Sequence, residues 1–153
     1  MLIFEYNRFP TLSNTMNILF LTITNFTSTK SKGIYTDLID YLANKGNNVF
    51  VVAPIERRYK SRTSIINEGN IKILNVLTPN IQKTTLIEKG FSTLLIEPLF
   101  SYAIVKYFHK VKFDLVLYST PPITFTSIIT KIAQCHGATT YLLLKDIFPQ
   151  NAV

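Results

Sequence analysis

The sequence predicts an α/β fold built on a parallel β-sheet with helices on both faces. Short, almost entirely apolar segments alternate with longer segments in which apolar residues recur at helical spacing. Strands without a polar face are typical of parallel sheets that helices cover on both sides. The composition agrees, since 47% of the 153 residues are hydrophobic and only 16% are charged, which excludes general disorder. We therefore expect one Rossmann-like domain that is large enough to bury a core.

The apolar segments predict the strands of this sheet. The first strand begins just after Met16, which we interpret as the natural start of the chain, with residues 1–15 as an upstream extension. Pro54 is expected to end the second strand, because proline has no backbone N–H to donate to a neighbouring strand. The strands are predicted at Ile18–Ile23, Val49–Ala53, Ile71–Val76, Leu115–Tyr118 and Thr140–Leu144.

Helical segments separate these strands. The first follows Gly33 and has apolar residues at positions 34, 38, 39, 42 and 43, which lie on one side of a helix. The second opens at a capping-box sequence, Thr85–Glu88, and runs to about residue 109 with an expected kink or break at Pro98. The third follows the Pro121-Pro122 step and ends before Gly137.

The chain is basic, and one loop concentrates the positive charge. Sixteen Lys and Arg residues against nine Asp and Glu residues give a net charge of +7, which attracts nucleic acid, anionic lipid or phosphorylated substrates. Nucleic acid is the weakest of these, because no helix-turn-helix, zinc or RNP-like signature is present. We interpret Arg57, Arg58, Lys60 and Arg62 as contacts to an anion or a membrane, with a solvated surface loop as the alternative.

No membrane-spanning helix is expected. The most apolar stretch, Phe91–Phe108, is interrupted by Glu97, Pro98 and Lys106. Lysines flank this stretch, so it either packs into the core or lies on a membrane surface. The single cysteine, Cys135, cannot form an internal disulfide and fits a reducing cytoplasm.

Three loops are expected to leave the carboxyl ends of strands and to face one crevice, where open α/β sheets bind their ligands. The first ends at Gly33, where backbone N–H groups at a helix start could contact an anion, although neither G-x-G-x-x-G nor G-x-x-x-x-G-K-[ST] is present. The second contains Ser119 and Thr120, which either cap the next helix or bind a substrate hydroxyl or phosphate. The third contains Lys145 and Asp146. Asp146 suits a general base or an acceptor for a sugar hydroxyl, with a local turn cap as the alternative, and Lys145 could pair with it or with a phosphate.

The remaining chemically distinctive residues indicate little. His109 and His136 both lie near predicted helix C-termini, where the helix dipole favours a cation. Neither has a second ligand at metal-binding spacing, so we expect no metal and no cofactor. Nothing in the sequence indicates a Ser-His-Asp or Cys-His nucleophile.

Several segments together resemble a known family. The runs Met16–Thr22, Lys32–Leu38 and Gly46–Pro54 are similar to the start of GT-B glycosyltransferases of the family-4 type. The runs Asp114–Pro122 and Leu144–Val153 resemble more specifically a bacterial branch that builds O-antigen and capsular polysaccharide, including N-acetylfucosamine transferases. The resemblance covers about residues 16–153, and the final segment is its most specific part.

The resemblance implies one half of a GT-B fold. Residues 16–153 would form the N-terminal, acceptor-side domain, while the donor-binding domain would be absent from this chain. Gly33 matches the helix-entry glycine near the donor phosphates, and Asp146 matches the acidic residue of a D-[LI]-[FW]-P element that lines the cleft. The first loop departs from the family pattern, because it contains only one glycine.

The resemblance also implies a function. The full enzyme would transfer a sugar from a nucleotide-sugar donor to a polyprenyl-diphosphate-linked acceptor in lipopolysaccharide or capsule biosynthesis. This acceptor would account for the net positive charge and for a cytoplasmic location at the inner face of the cell membrane. The fragment alone is expected to be inactive. Two alternatives remain open: a non-catalytic acceptor- or membrane-docking subunit of a split transferase, and a small α/β module that binds an anion or a nucleotide.

Overall fold

A computed structural model describes residues 15–30, 32–80, 86–119 and 125–144, with residues 86–91 described by their backbone alone. Strands and helices alternate along the chain as expected. The elements are β1 Asn17–Leu21, α1 Ile34–Asn44, β2 Asn48–Glu56, a 3₁₀ turn Arg57–Tyr59, β3 Ser64–Glu68, β4 Ile71–Thr78, α2 Leu86–Phe108, β5 Leu115–Ser119, α3 Thr126–His136 and β6 Thr139–Leu143.

The six strands form one sheet in the order β3-β4-β2-β1-β5-β6. Every neighbouring pair is parallel except β3 and β4, which are antiparallel. The fold class predicted from the sequence is confirmed: this is an α/β, Rossmann-like sheet. The antiparallel edge strand β3 was not predicted. A two-residue turn joins it to β4, and Gly69 in that turn has a φ of 59°, which glycine adopts easily.

The expectation that Pro54 ends the second strand is wrong, because β2 continues to Glu56. The carbonyl of Val52 accepts the N–H of Thr22, so the polar groups of Val52 point towards β1. Alternate residues of a strand point the same way, so the nitrogen of Pro54 also points to the β1 side. β1 has already ended there, at Leu21. No ladder bond is therefore lost, and Pro54 lies where β2 has become an edge.

Of the kink or break expected at Pro98, the break is wrong, because α2 runs without interruption from Leu86 to Phe108. The kink stays a prediction. A proline cannot donate to the carbonyl four residues earlier, which here belongs to Leu94. Leu94 is 76% exposed, so water can reach that side of the helix. The helix continues because its opposite side is buried through Ile96, Phe100 and Phe108.

Helices cover both faces of the sheet, as predicted. Successive strand residues point to opposite faces, so each fully buried strand contributes to two cores. Ile39 of α1 packs on the face that contains Ile18 and Phe20. Helices α2 and α3 pack on the face that contains Leu19 and Leu21. The expectation that helices cover the strands on both sides does not hold for the last strand: β6 lies at one edge of the described sheet, and Tyr141 is 60% exposed.

Candidate functional site

The chain changes direction across the sheet at β1. It passes from β1 to β2 through α1 on one face, and from β4 to β5 through α2 on the other face. The carboxyl ends of β1 and β5 therefore lie side by side at the point where the chain reverses its direction across the sheet, which is where open α/β sheets bind their ligands. β6 lies next to β5, so the three loops expected from the sequence all leave neighbouring strands. We call this edge, at the carboxyl ends of β1, β5 and β6, the switch-point crevice.

A buried hydrogen bond joins the end of β5 to the residue that follows β1. The Oγ of Ser119, at the end of β5, donates to the Oγ1 of Thr22, just after β1, over 3.3 Å. The same Thr22 oxygen accepts the backbone N–H of Thr24 at 3.1 Å. Both hydroxyl side chains are buried, with exposures of 1% and 0%. The hydroxyl of Ser119 thus has a positioning partner within the protein, and its predicted role as a substrate contact remains a prediction.

The loop after β1 is anchored along its length. Phe26 is buried in the core under α1. Glu68, at the end of β3, accepts a bond from the Ser28 hydroxyl at 2.9 Å. It also accepts from the Thr29 hydroxyl at 2.7 Å and from the Thr29 N–H at 3.1 Å. These contacts hold the pKa of Glu68 below its ordinary value, chiefly through the Thr29 hydroxyl and then the Thr29 N–H, against partial burial, which acts in the opposite direction.

Gly33 begins α1, as the sequence indicated. Its carbonyl accepts the N–H of Asp37 at 2.9 Å and the Thr36 hydroxyl at 2.8 Å. Its φ of 179° is extended backbone, which any residue adopts, and a Cβ built there would lie 3.4 Å from the Thr36 hydroxyl. Local backbone geometry therefore does not require glycine. Gly33 has no side chain that could cap the first N–H groups of α1, and these groups lie at the end of the helix that follows the loop after β1.

An apolar groove of about 360 Å³ lies between the start of α1 and β6. Its walls carry exposed apolar side chains, since Ile34 is 69% exposed and Leu144 is 56% exposed. The groove exists because α1 packs over β1 and β2 and leaves the outer strand β6 uncovered among the described residues. The lining residues are Ile34, Tyr35, Leu38 and positions 141–144. The groove was not predicted from the sequence, because the sheet was expected to be covered by helices on both sides.

Three of the predicted site residues, Thr120, Lys145 and Asp146, lie outside the described residues. Their described neighbours, Ser119 and Leu144, belong to the switch-point crevice. The predicted roles of these three residues remain predictions.

A second groove, of about 430 Å³, lies at the carboxyl ends of β2 and β4. We call it the basic groove; it is lined by Arg57, Arg58, Lys60, Pro79 and Asn80. From the sequence, Arg62 was expected to contact an anion or a membrane together with these cations. Arg62 is exposed and lies beyond the 3₁₀ turn, and it is not among the residues that line the groove.

The start of α3 receives a cap that the sequence did not reveal. Glu97, from the middle of α2, accepts the N–H of Ile128 at 2.7 Å. Ile128 is the third residue of α3, so the carboxylate satisfies a donor that has no partner within the helix and lies at the positive end of its dipole. Ser119 had been considered as a cap for this helix. It lies at the end of β5, seven residues before the helix begins, and it bonds to Thr22 instead.

Other reactive side chains are placed away from both grooves. His136 ends α3, its Nδ1 accepts the N–H of Phe113 at 3.0 Å, and its ring stacks on that of Phe113. Cys135 is exposed on α3. Within the described ranges, His, Cys, Asp and Glu side chains do not gather in threes as a metal ion would need.

The helices of the described residues include none that is long and apolar enough to span a membrane. The outward side of α2 is nevertheless apolar. Leu94, Pro98, Tyr102 and Val105 follow one another at helical spacing on this side, and Leu94, Tyr102 and Val105 are 76%, 66% and 64% exposed. The Nζ of Lys106 lies 5.8 Å from the ring centre of Tyr102, at the C-terminal end of this row.

Comparison with known proteins gives the fold and no family. No protein-family model and no curated protein sequence matches this chain. A solved structure described as trehalose-6-phosphate from E. coli bound with UDP-2-fluoro glucose is similar, with a TM-score of 0.52, 7% identity and 82% of this chain covered. This chain spans about a third of that structure, 32% of its length.

A second similar structure is the C-terminal domain of the PF1911 hydrogenase from Pyrococcus furiosus. It matches with a TM-score of 0.51 and 13% identity over 87% of this chain and 95% of the domain. At such identities the likeness concerns the fold alone. The chain is therefore an α/β domain with a Rossmann-like sheet.

Proposed function

We propose that this chain is the acceptor-side domain of a glycosyltransferase that moves a sugar from a nucleotide-sugar donor to a lipid-linked acceptor. The observation that carries the proposal is the switch-point crevice, where the carboxyl ends of the neighbouring strands β1, β5 and β6 lie at one edge of the sheet. The segments that most resemble the O-antigen and capsule transferases, Asp114–Pro122 and Leu144–Val153, contain two of these loops. A structure with this fold is bound with a nucleotide sugar, UDP-2-fluoro glucose, which is consistent with such a role.

The chemistry assigned to this domain is positioning of the acceptor. A second domain would hold the donor, and Asp146 would accept a proton from, or orient, the attacking sugar hydroxyl. Gly33 and Lys145 would contact the donor diphosphate, assisted by the uncapped N–H groups of α1. Ser119 and Thr120 would hold polar groups of the substrate. A reaction of this kind depends mainly on orientation of the reactants and on stabilisation of the departing diphosphate.

The outward side of α2 supports contact with an anionic membrane surface, where a polyprenyl-linked acceptor is found. A row of exposed apolar side chains from Leu94 to Val105 can enter the lipid interface, while Lys106 and Lys110 at its end can meet acidic headgroups. We assign this surface the role of a peripheral membrane contact on the cytoplasmic side.

Sugar transfer by the enzyme that contains this domain tests the proposal. Asp146→Asn should reduce incorporation of labelled sugar into a polyprenyl-diphosphate acceptor by about 100-fold or more if Asp146 is the base. Asp40→Asn, on α1 and outside the crevice, is the matched control and should retain near-normal transfer. Loss of transfer with unchanged thermal unfolding supports the catalytic role. Unchanged transfer in Asp146→Asn would return Asp146 to a turn cap.

The likeness to almost the whole of a hydrogenase domain favours a second candidate, a self-contained α/β module that binds an anion or a nucleotide. The two candidates differ in what the isolated chain does with UDP. An acceptor-side domain should bind UDP weakly, because the donor is held mainly by the other domain. Titration calorimetry that gave a micromolar Kd for UDP with the isolated chain would favour the module.

A further inference from the structure

The basic groove is separate from the switch-point crevice. It lies at the carboxyl ends of β2 and β4, whereas the crevice involves β1, β5 and β6. Arg57, Arg58 and Lys60 come from the 3₁₀ turn that follows β2, and Asn80 comes from the segment that follows β4. Two neighbouring parallel strands thus bring three cations and an amide to one concave surface.

Two contacts fix the walls of this groove. The N–H of Arg58 donates to Asn80 Oδ1 at 3.0 Å, which joins the 3₁₀ turn to the segment after β4. The guanidinium Nε of Arg58 lies 2.6 Å from the carboxylate of Glu56, which is itself only 7% exposed. One carboxylate therefore balances one of the three cations. In the described part of the chain, Arg57 and Lys60 have no carboxylate within ion-pair distance, so the groove retains positive charge.

Lys60 occupies a backbone conformation that is costly for a lysine. Its φ is 49°, in the left-handed region, which glycine adopts at lower cost. Its N–H donates to the carbonyl of Arg57 at 3.0 Å, so the two cations stand at the two ends of one closed turn. Non-glycine residues in this conformation occur preferentially at binding sites.

We propose that the basic groove binds a phosphoryl group, of the kind carried by a diphosphate ester or by an anionic lipid headgroup. Arg57 offers a planar pair of N–H donors that matches two phosphate oxygens, and Lys60 adds a point charge. The Oδ1 of Asn80 accepts the N–H of Arg58, so the Nδ2 group of the same side chain is the part that can donate a hydrogen bond to a phosphate oxygen. The site itself does not depend on the proposed function. Only the identity of the ligand rests on that function, which makes the diphosphate of the acceptor the candidate.

Calorimetric titration of the chain with inorganic diphosphate tests the site without any sugar donor. Arg57→Gln/Lys60→Gln should weaken binding by about tenfold or more, since each lost charge-assisted hydrogen bond contributes that much or more. The matched control, Lys45→Gln/Lys131→Gln, removes two exposed cations elsewhere and should weaken binding by less than about twofold. Equal weakening in both double variants would overturn the proposal, because it would reduce the effect to net charge.

A third variant separates binding from folding. Lys60→Gly retains the turn at lower backbone cost, so its thermal unfolding temperature should not fall, yet it removes one of the cations. We expect weaker diphosphate binding in this variant at unchanged or higher stability. The proposal would be contradicted if Lys60→Gly and Arg57→Gln/Lys60→Gln both bound inorganic diphosphate with the affinity of the wild type.

Vesicle sedimentation distinguishes the two sources of the phosphate. If the ligand is a lipid headgroup, phosphatidylglycerol vesicles should capture the chain and phosphatidylcholine vesicles should not. Arg57→Gln/Lys60→Gln should then weaken capture, whereas Lys45→Gln/Lys131→Gln should not, because the exposed side of α2 is the same in both. If the ligand is a soluble diphosphate ester, calorimetry should show the loss while capture by vesicles is the same for both double variants. The proposal would be overturned if Arg57→Gln/Lys60→Gln changed neither the affinity for inorganic diphosphate nor the capture by vesicles. This holds whatever the outcome of the transfer assay.

Discussion

Glu68 shows at the scale of single residues how the loop beside the crevice is held. Its carboxylate receives bonds from Ser28 and Thr29, which lie about 40 residues earlier in the chain. No local pattern reveals such a partner, because the loop and β3 meet only after the sheet has formed. Candidate site residues could be chosen from their place at strand ends, but the side chains that position them could not.

Glu68→Gln should destabilise the protein at neutral pH by about 1 kcal/mol, since it removes a charge-assisted acceptor of three donors at a partly exposed site. The folded-state pKa of Glu68 lies below its ordinary value of 4.5. Its stabilising contribution is therefore fully present above about pH 4.5 and is lost as the pH falls through the lowered pKa. Urea unfolding at several pH values should show wild type and variant converging below pH 4.5. A gap that is constant with pH would contradict this account.

Gly33→Ala tests whether the glycine is needed for ligand approach. The extended φ of 179° and the 3.4 Å contact of a built Cβ predict a change in unfolding free energy within about 0.5 kcal/mol. If the N–H groups at the start of α1 contact the donor phosphates, the added methyl group should obstruct this contact. Sugar transfer should then fall by about tenfold or more although stability is nearly unchanged. Gly46→Ala is a useful contrast, because its φ of 87° predicts a loss of stability instead. Full transfer in Gly33→Ala would remove Gly33 from the site.

At the scale of elements, the ends of strands and helices depend on neighbours as much as on their own sequences. β2 passes Pro54 because β1 has ended, and α2 passes Pro98 because the affected carbonyl lies on an exposed side. The edge strand β3 was missed because its residues are only half-buried and do not form an apolar run. Its turn, Gly69-Asn70, was the one local signal of a hairpin.

Glu97 links two helices, and its substitution should affect both. Glu97→Ala removes the acceptor of the Ile128 N–H and should cost about 1 kcal/mol of unfolding free energy. Glu97→Gln keeps an oxygen acceptor but loses the charge at the positive end of α3, so it should cost less than Glu97→Ala. Chemical denaturation of both variants gives the comparison. Equal costs for Ala and Gln would show that the carboxamide oxygen does not replace the cap.

At the scale of the whole molecule, the sequence was sufficient for the five parallel strands and for the edge of the sheet at which they end. Apolar runs such as those of β1 and β5, alternating with helical segments, are typical of a parallel sheet between helices, and the carboxyl ends of such strands share one edge. Exposure was harder to predict. β6 carries an apolar sequence, yet it is the outer strand, and this leaves the groove beside α1 open. Which strand becomes outermost depends on the order of the whole sheet, and this order is not encoded in any one segment.

Binding of the acceptor to the carboxyl edge of the sheet is the central claim, and nuclear magnetic resonance tests it most directly. The ¹⁵N-labelled chain would be titrated with a short-chain prenyl-diphosphate-linked sugar, which is soluble. The account predicts saturable shifts that are largest at the carboxyl edge: for the amides of Thr22, Gly33, Ser119 and Leu144, around the switch-point crevice, and for those of Lys60 and Asn80, in the basic groove that would hold the diphosphate. Shifts that are largest at the opposite edge, near Asn47, Gly69 and Asp114, or the absence of any saturable shift, would contradict it.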